Sequence, residues 1–175
     1  MIIKKSKHAA FGRVASYHQK LARGPKVELL YSNLASIDPE WIGLEFDAIA
    51  GMVPRVKRTL AHVAIALHPS DAVKVDSNVF FDIALKYIEK MGYGNSQAVV
   101  WRHYDEPHPH IHLLLNRVTP EGRVVDDRVD YIKHAEFRAE EEVHYDLVRT
   151  RFRWSVPDNE DLKKVVVSTG QRLAL

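Results

Sequence analysis

The chain has no cysteine, and its uninterrupted apolar runs are only a handful of residues long. The absence of cysteine excludes disulfides, thiolate metal sites and cysteine catalysis. The short apolar runs exclude a membrane-spanning helix, which needs about 20 apolar residues. The first residues, MIIKKSKHAAFG, are too polar for a signal peptide. We therefore expect a cytoplasmic protein that does not insert into a membrane.

The composition is that of an ordinary globular protein. Apolar residues make up 46% and charged residues 27% of the 175 residues, and this length suffices for one domain with a buried core. No repeat or low-complexity linker divides the chain. We expect a single domain over residues 1–175, in which residues 151–175 form a C-terminal extension.

Charge is distributed unevenly, although the net charge is only +2. Residues 1–27 hold seven Lys or Arg and no acid, whereas residues 33–50 hold four acids and no base. A second basic group, Arg55, Lys57 and Arg58, follows. Such segments suit a polyanionic partner, and on charge alone they equally suit a solvated helix face.

Apolar periodicity predicts a mixed α+β fold. Residues that recur at spacings of three and four predict helices over 8–22, 38–50, 78–91 and 132–150. Apolar and β-branched runs predict strands over 27–32, 61–67, 98–104, 110–118 and 123–125. The closeness of 98–104 and 110–118 favours an antiparallel pair. We expect a central antiparallel sheet with helices packed on one face.

The segment HYDEPHPHIHLLLNRV, residues 103–118, holds four of the ten histidines. Side chains alternate along a strand, so His110 and His112 point to one face and Ile111 and Leu113 to the other. His103, at the end of the preceding strand, can reach the same point across the pair. Three imidazoles leave coordination positions open for water or a phosphate oxygen, which is typical of catalytic metal sites.

The other polar residues of this segment have more than one interpretation. Asp105 and Glu106 either orient imidazoles or hold a proton, or they are exposed turn residues. His108, between two prolines, is a secondary candidate that lines the site. Asn116 continues the face of His110 and His112.

A metal alone would suit hydrolysis by water, but Tyr17 offers a second kind of nucleophile. It lies at the edge of the apolar face of the first predicted helix. A tyrosine can attack covalently, although its usual pKa of about 10 means that it must be activated at neutral pH. Helical position alone favours a packing role for it.

Four motifs follow one another along the chain. They are G-x-x-x-x-Y at 12–17, HPSD at 68–71, MGYG at 91–94 and WRHYDEPHPHIHLLLNRV at 101–118. In this order they resemble the relaxase domain of the MOBP class, within the HUH endonuclease superfamily, over about residues 8–130. The last motif is the most specific. Ala64 and Ala66 depart from the pattern, because members often carry small hydroxyl residues there.

The resemblance implies a bacterial enzyme that nicks one strand of a plasmid transfer origin and so begins conjugative transfer. Tyr17 would attack the scissile phosphodiester, which leaves a 5′-phosphotyrosine and a free 3′-OH, and Tyr31 is the second candidate for this role. His103, His110 and His112 would hold a divalent ion, Mg²⁺ or Mn²⁺, whose identity the sequence does not determine. Glu106 or Asp105 would take the tyrosine proton or orient a ligand.

The implied partners are single-stranded DNA of the transfer origin, relaxosome accessory proteins and a coupling protein. Basic residues near Tyr17 and in the second basic group would contact DNA phosphates. These are Lys4, Lys5, Lys7, Arg13, Lys20, Arg23, Lys26, Arg55, Lys57 and Arg58.

Three alternatives remain at this point. A rolling-circle replication initiator or transposase of the same superfamily usually has its histidine motif before the tyrosine, which is the reverse of the order here. A DNA-binding regulatory module would keep the fold without cleaving. A plain metallohydrolase would cleave with water and form no covalent adduct.

Overall fold

The computed structural model of the chain describes residues 1–9, 11 and 26–149. Their helices and strands are β1 (Ile2–His8), β2 (Val27–Ser32), α1 (Pro39–Ala50), β3 (Leu60–Ala66), α2 (Ser77–Lys90), β4 (Ala98–His103), β5 (His110–Asn116) and α3 (Asp130–His144). A short 3-10 helix, Pro69–Val73, follows β3. No helix in these ranges is long and apolar enough to cross a membrane.

The strands form one sheet in the order β1-β3-β5-β4-β2, and every neighbouring pair is antiparallel. The predicted pairing of β4 with β5 is confirmed, with His103 opposite His110. The α+β class is also confirmed. Because β5 is the central strand, residues on both β3 and β4 can meet its side chains.

The expected packing of helices on one face is confirmed for α2 and α3, and α1 also covers part of the opposite face. Ile111, Leu113 and Leu115 of β5 belong to the core that α2 and α3 complete, and we call this side the helix face. On the opposite side, which we call the histidine face, α1 covers an apolar half. That half carries Leu60, Val99, Trp101 and Leu114, and it packs with Phe11, Ile42 and Phe46. Four large apolar side chains on this face need such cover.

Local signals placed most helix ends correctly. The Asp76 side chain accepts a hydrogen bond from the Val79 N–H at 2.9 Å and begins α2, and Gly92, with φ of 80°, follows its last turn. Helix α3 is shorter than the predicted 132–150, because Asp146 has φ of 50° and turns the chain away. Residues 123–125 make a single bridge, between Val118 and Val124, rather than a strand.

Strand β1 was not predicted. The expected helix over 8–22 cannot begin at His8, because His8 is the last residue of β1. Of the other residues in that range, the structure describes only Ala9 and Phe11. The rest of that predicted helix lies outside the described residues. Three lysines within seven residues hid the strand alternation, yet lysines are common on edge strands because they discourage further pairing.

Two of these lysines make ion pairs on the helix face. Lys5 Nζ donates to Tyr93 Oη at 2.9 Å and pairs with Asp127 at 3.3 Å and with Asp130, and its side chain is only 8% exposed. Lys7 pairs with Asp127 at 2.7 Å. The expectation that Lys5 contacts DNA is therefore corrected, since its charge is buried and holds the segment before α3 against β1. Lys7 is exposed, and its contact with DNA stays a prediction.

Candidate metal centre

Three histidines from two strands converge at one end of the histidine face. One ring nitrogen from each of His103, His110 and His112 lies within 4.8 Å of the others. The antiparallel register explains this meeting, because His103 lies directly opposite His110 and His112 follows on the same face of β5. His103 and His110 are buried, and His112 is half-buried.

The two histidines of β5 have their Nδ1 atoms already engaged. His110 Nδ1 lies 3.1 Å from the main-chain carbonyl oxygen of His108, to which it donates. His112 Nδ1 lies 2.9 Å from Nε2 of His62, on the neighbouring strand β3. An imidazole with Nδ1 engaged in this way presents Nε2 as its remaining ligand atom.

Burial keeps the imidazoles of His103 and His62 uncharged at neutral pH. It lowers the pKa of His103 to about 4, an effect to which His110 adds and which Asp105 opposes. Burial also lowers the pKa of His62 to about 4. Metal ligation requires neutral imidazoles, and His103 has that form at pH 7.

The donor set fits one divalent ion. Three imidazole nitrogens at this spacing can bind a single ion and leave positions open for water or substrate oxygen. The carboxylate of Asp105 lies beside them, with Oδ1 3.4 Å from His110 Nε2 and 3.7 Å from His103 Nδ1. Glu106, the next residue, is exposed. Of the two acids in the link, the structure thus brings Asp105 to the histidines.

One family model matches most of the chain, including all of the site just described. It is described as a relaxase of the MobA/VirD2-like type, nuclease domain, and it matches residues 17–147. The chain belongs to this family. Members are nuclease domains that nick DNA in mobilisation, and the predicted resemblance to relaxases is confirmed at this level. A search of curated proteins finds no match.

The HPSD motif of the relaxase has a structural role in the described fold. His68 Nδ1 accepts a hydrogen bond from the Ser70 N–H at 3.2 Å and caps the 3-10 helix. Asp71 is fully buried, and its carboxylate oxygens accept from the Val148 N–H at 3.1 and 3.2 Å. The motif therefore ties the end of β3 to the segment after α3.

Asn116 lies on the histidine face, but at the other end of β5 from the metal centre. It is fully buried, and its Nδ2 donates to the Phe46 carbonyl at 3.1 Å and to Gln97 Oε1 at 2.9 Å. Its Oδ1 accepts from the Val118 N–H at 3.0 Å. These bonds attach α1 to the sheet, which is a structural role.

Tyr31 lies on the helix face, and the sheet separates it from the three histidines. It pairs with Val100, whose side chain belongs to the core under α2, and its ring meets Phe81 edge-on with centroids 6.2 Å apart. This placement contradicts Tyr31 as a nucleophile for the metal centre. Tyr17, the first candidate, lies outside the described residues.

The other predicted DNA-contact residues are divided between the two ends of the sheet. Lys4 is exposed on the histidine face, in the same cross-strand row as Ala64 and His112. Lys26 is exposed next to Val27, which pairs with His103. Arg55, Lys57 and Arg58 are exposed just before β3, at the end opposite the metal centre. Arg13, Lys20 and Arg23 lie outside the described residues.

His62 is the residue of this site that sequence reasoning missed. Alternation in AHVAIAL puts it on the same strand face as Ala64 and Ala66, but β3 and β5 are separated by some forty residues of chain. Only their register, with Ala64 opposite His112, shows that His62 reaches the metal centre.

Proposed function

We propose that this relaxase nicks one strand of single-stranded DNA at a transfer origin through a covalent 5′-phosphotyrosine, and that this step begins conjugative transfer. The observation that carries the proposal is the convergence of His103, His110 and His112 in a chain of the MobA/VirD2-like family. Three imidazoles at this spacing could hold a divalent ion that binds a phosphodiester oxygen.

In this proposal His103, His110 and His112 hold one divalent ion, Mg²⁺ or Mn²⁺. When bound, the ion would polarise non-bridging phosphate oxygens and stabilise negative charge in the transition state. The main-chain carbonyl of His108, rather than its ring, orients His110. We therefore expect His108→Ala to bind metal like the wild type, and each of the three ligand-to-Ala variants to lose metal-dependent cleavage.

Tyr17 is the proposed nucleophile. Its Oη forms a bond to phosphorus while the bond from phosphorus to the 3′-oxygen breaks. The phenolic proton passes to an acceptor on the protein, and the leaving 3′-oxygen takes up a proton to become the 3′-OH. Asp105 is the better-placed acceptor of the two acids, because its carboxylate is within 3.4 Å of His110 Nε2, and Glu106 is the alternative. The phosphotyrosine conserves the energy of the phosphodiester, so the 3′-OH can reverse the step and reseal the strand.

The position of Phe11 supports the proposal for Tyr17. Phe11 is buried on the histidine face, with its ring centroid 3.8 Å from that of Phe46. The chain therefore leaves the described residues on the same side of the sheet as the metal centre, six residues before Tyr17.

Among the basic residues, Lys4 and Lys26 have the best support as phosphate contacts, since both are exposed near the metal centre. Arg55, Lys57 and Arg58 would extend such a path to the far end of the sheet. Arg13, Lys20 and Arg23 stay predictions. Relaxosome accessory proteins, a coupling protein, a cytoplasmic location and a single domain over residues 1–175 are part of the same proposal.

The test is a cleavage assay on denaturing gels. Single-stranded oligonucleotides tiled across the DNA beside the gene are incubated with the protein and Mg²⁺ or Mn²⁺. We expect a covalent protein–DNA adduct that is lost in Tyr17→Phe and retained in the control Tyr31→Phe. An adduct that survives Tyr17→Phe refutes that nucleophile. Cleavage without any adduct indicates a hydrolase, and binding without cleavage indicates a regulatory module.

A further inference from the structure

His62 makes a direct contact with one of the three metal-centre histidines, although it is not one of that group itself. Its Nε2 lies 2.9 Å from Nδ1 of His112, and the two rings are inclined by 31° with centroids 5.1 Å apart. Both side chains are half-buried on the histidine face. A hydrogen bond of this length between two imidazoles in a partly buried site fixes the orientation of both rings.

The strand register creates this contact. His112 lies opposite Ala64, and His62 is two residues before Ala64 on β3, so the two histidines are diagonal neighbours. Diagonal side chains of this kind are separated by about 7–8 Å at their backbones and meet only when both are long. Because Ala64 ends at Cβ, it leaves room for the His112 ring to lean toward His62.

The chemistry of ligation determines which atom donates. A metal ligand needs a lone pair on the coordinating nitrogen, so His112 can bind through Nε2 only if its proton is on Nδ1. That Nδ1–H then donates to Nε2 of His62. The opposite direction, with His62 donating to Nδ1, would leave the proton of His112 on Nε2 and block ligation.

We propose that His62 is a positioning residue that holds His112 in the tautomer and orientation that present Nε2 to the metal ion. It thereby raises metal affinity without touching the ion. Groups that orient metal-bound imidazoles in this way commonly contribute about 10–100-fold in affinity or activity. The ring of His110 is oriented in the same way by the main-chain carbonyl of His108. A substitution cannot remove that carbonyl, but it can remove the His62 side chain. This inference rests on the proposed metal centre.

The experiment uses the full chain, Co²⁺ as the probe, and three variants. His62→Phe keeps an aromatic ring but removes the acceptor, and His62→Gln restores an acceptor through Oε1. His8→Phe is the matched control, because His8 lies on the same face in β1 beside His62, with ring centroids 6.1 Å apart, and its Nε2 lies 2.9 Å from Ser6 Oγ. Co²⁺ affinity and its visible absorption are measured by titration, and folding by urea unfolding without metal.

We expect His62→Phe to raise the Kd for Co²⁺ by about 10–100-fold and to change the Co²⁺ absorption spectrum. His62→Gln should recover most of the affinity, and His8→Phe should match the wild type. A His62→Phe variant that binds Co²⁺ with wild-type affinity and spectrum overturns the proposal.

Long-range proton–nitrogen NMR of the metal-free protein gives a readout that does not depend on metal loading. The His112 proton should be on Nδ1 in the wild type and in His62→Gln, and should move toward Nε2 in His62→Phe. If both His62 variants lose affinity equally while the His112 tautomer is unchanged, His62 has only a packing role and the proposal is wrong. His112→Ala tests the metal centre separately from the role of His62, because wild-type Co²⁺ binding in that variant would refute the metal centre itself.

Discussion

Replacement of Asn116 by leucine should destabilise the protein strongly while leaving the metal centre intact. Asn116 is fully buried and makes three hydrogen bonds, to Phe46, Gln97 and Val118. Leucine has nearly the same shape but cannot donate or accept. The substitution therefore leaves the Val118 N–H and the Phe46 carbonyl without this partner in the interior.

The magnitude follows from those two main-chain groups. Each buried group that loses its partner costs about 1–3 kcal/mol, so the sum is about 2–6 kcal/mol. The added apolar burial of leucine offsets roughly 1–2 kcal/mol of this. We expect a net loss of about 2.5 kcal/mol, between limits of about 0 and 5 kcal/mol, in the free energy of unfolding, which is a sizeable part of the 5–15 kcal/mol that is typical of a domain.

The assay is urea unfolding monitored by circular dichroism, with Co²⁺ titration of the folded variant. Asn78→Ala is the control, because Asn78 is exposed and its hydrogen bond to Asp76 is long, at 3.5 Å. We expect that control to change stability by less than about 0.5 kcal/mol. Unchanged stability in Asn116→Leu together with lost metal binding would refute the structural role and restore Asn116 as a functional candidate.

Other substitutions test separate parts of the structure. Burial lowers the pKa of His134 below its usual 6.5, so the unfolded chain takes up its proton more readily. The free energy of unfolding should thus fall as the pH drops below about 6.5, and it should fall less in His134→Phe. Urea unfolding at pH 7.5 and 5.5 measures this difference. Lys5→Met should cost up to about 3–5 kcal/mol of stability, because it removes the cation paired with Asp130 while Asp127 keeps Lys7, and it should leave DNA affinity unchanged in the folded protein. Lys4→Met should leave stability nearly unchanged but weaken binding to single-stranded DNA. The slope of log affinity against log salt concentration should fall in magnitude by roughly one, which fluorescence anisotropy at several salt concentrations can test. Asp71→Ala should cost about 1–3 kcal/mol, because it removes the acceptor of the Val148 N–H, and Asp71→Asn should cost less.

The sequence alone was sufficient wherever the decisive interaction is local. Alternation along a strand placed His110 and His112 on one face. Apolar periodicity predicted α2 to within one residue at each end, because a helix buries one face along its own length. The short link between β4 and β5 predicted their antiparallel pairing, and that pairing brought His103 opposite His110.

The pairing of distant strands is decided only in three dimensions, and it determined the rest. Strand β1 forms because its main chain hydrogen-bonds to β3. This pairing places Lys5 on the helix face and Lys4 on the histidine face, although the two are neighbours in the sequence. The sheet order places Tyr31 behind the sheet and His62 beside His112. A shift of one residue in any of these registers would exchange the two faces. Because the register is set by packing across the whole sheet, no local pattern in the sequence could have predicted those neighbours.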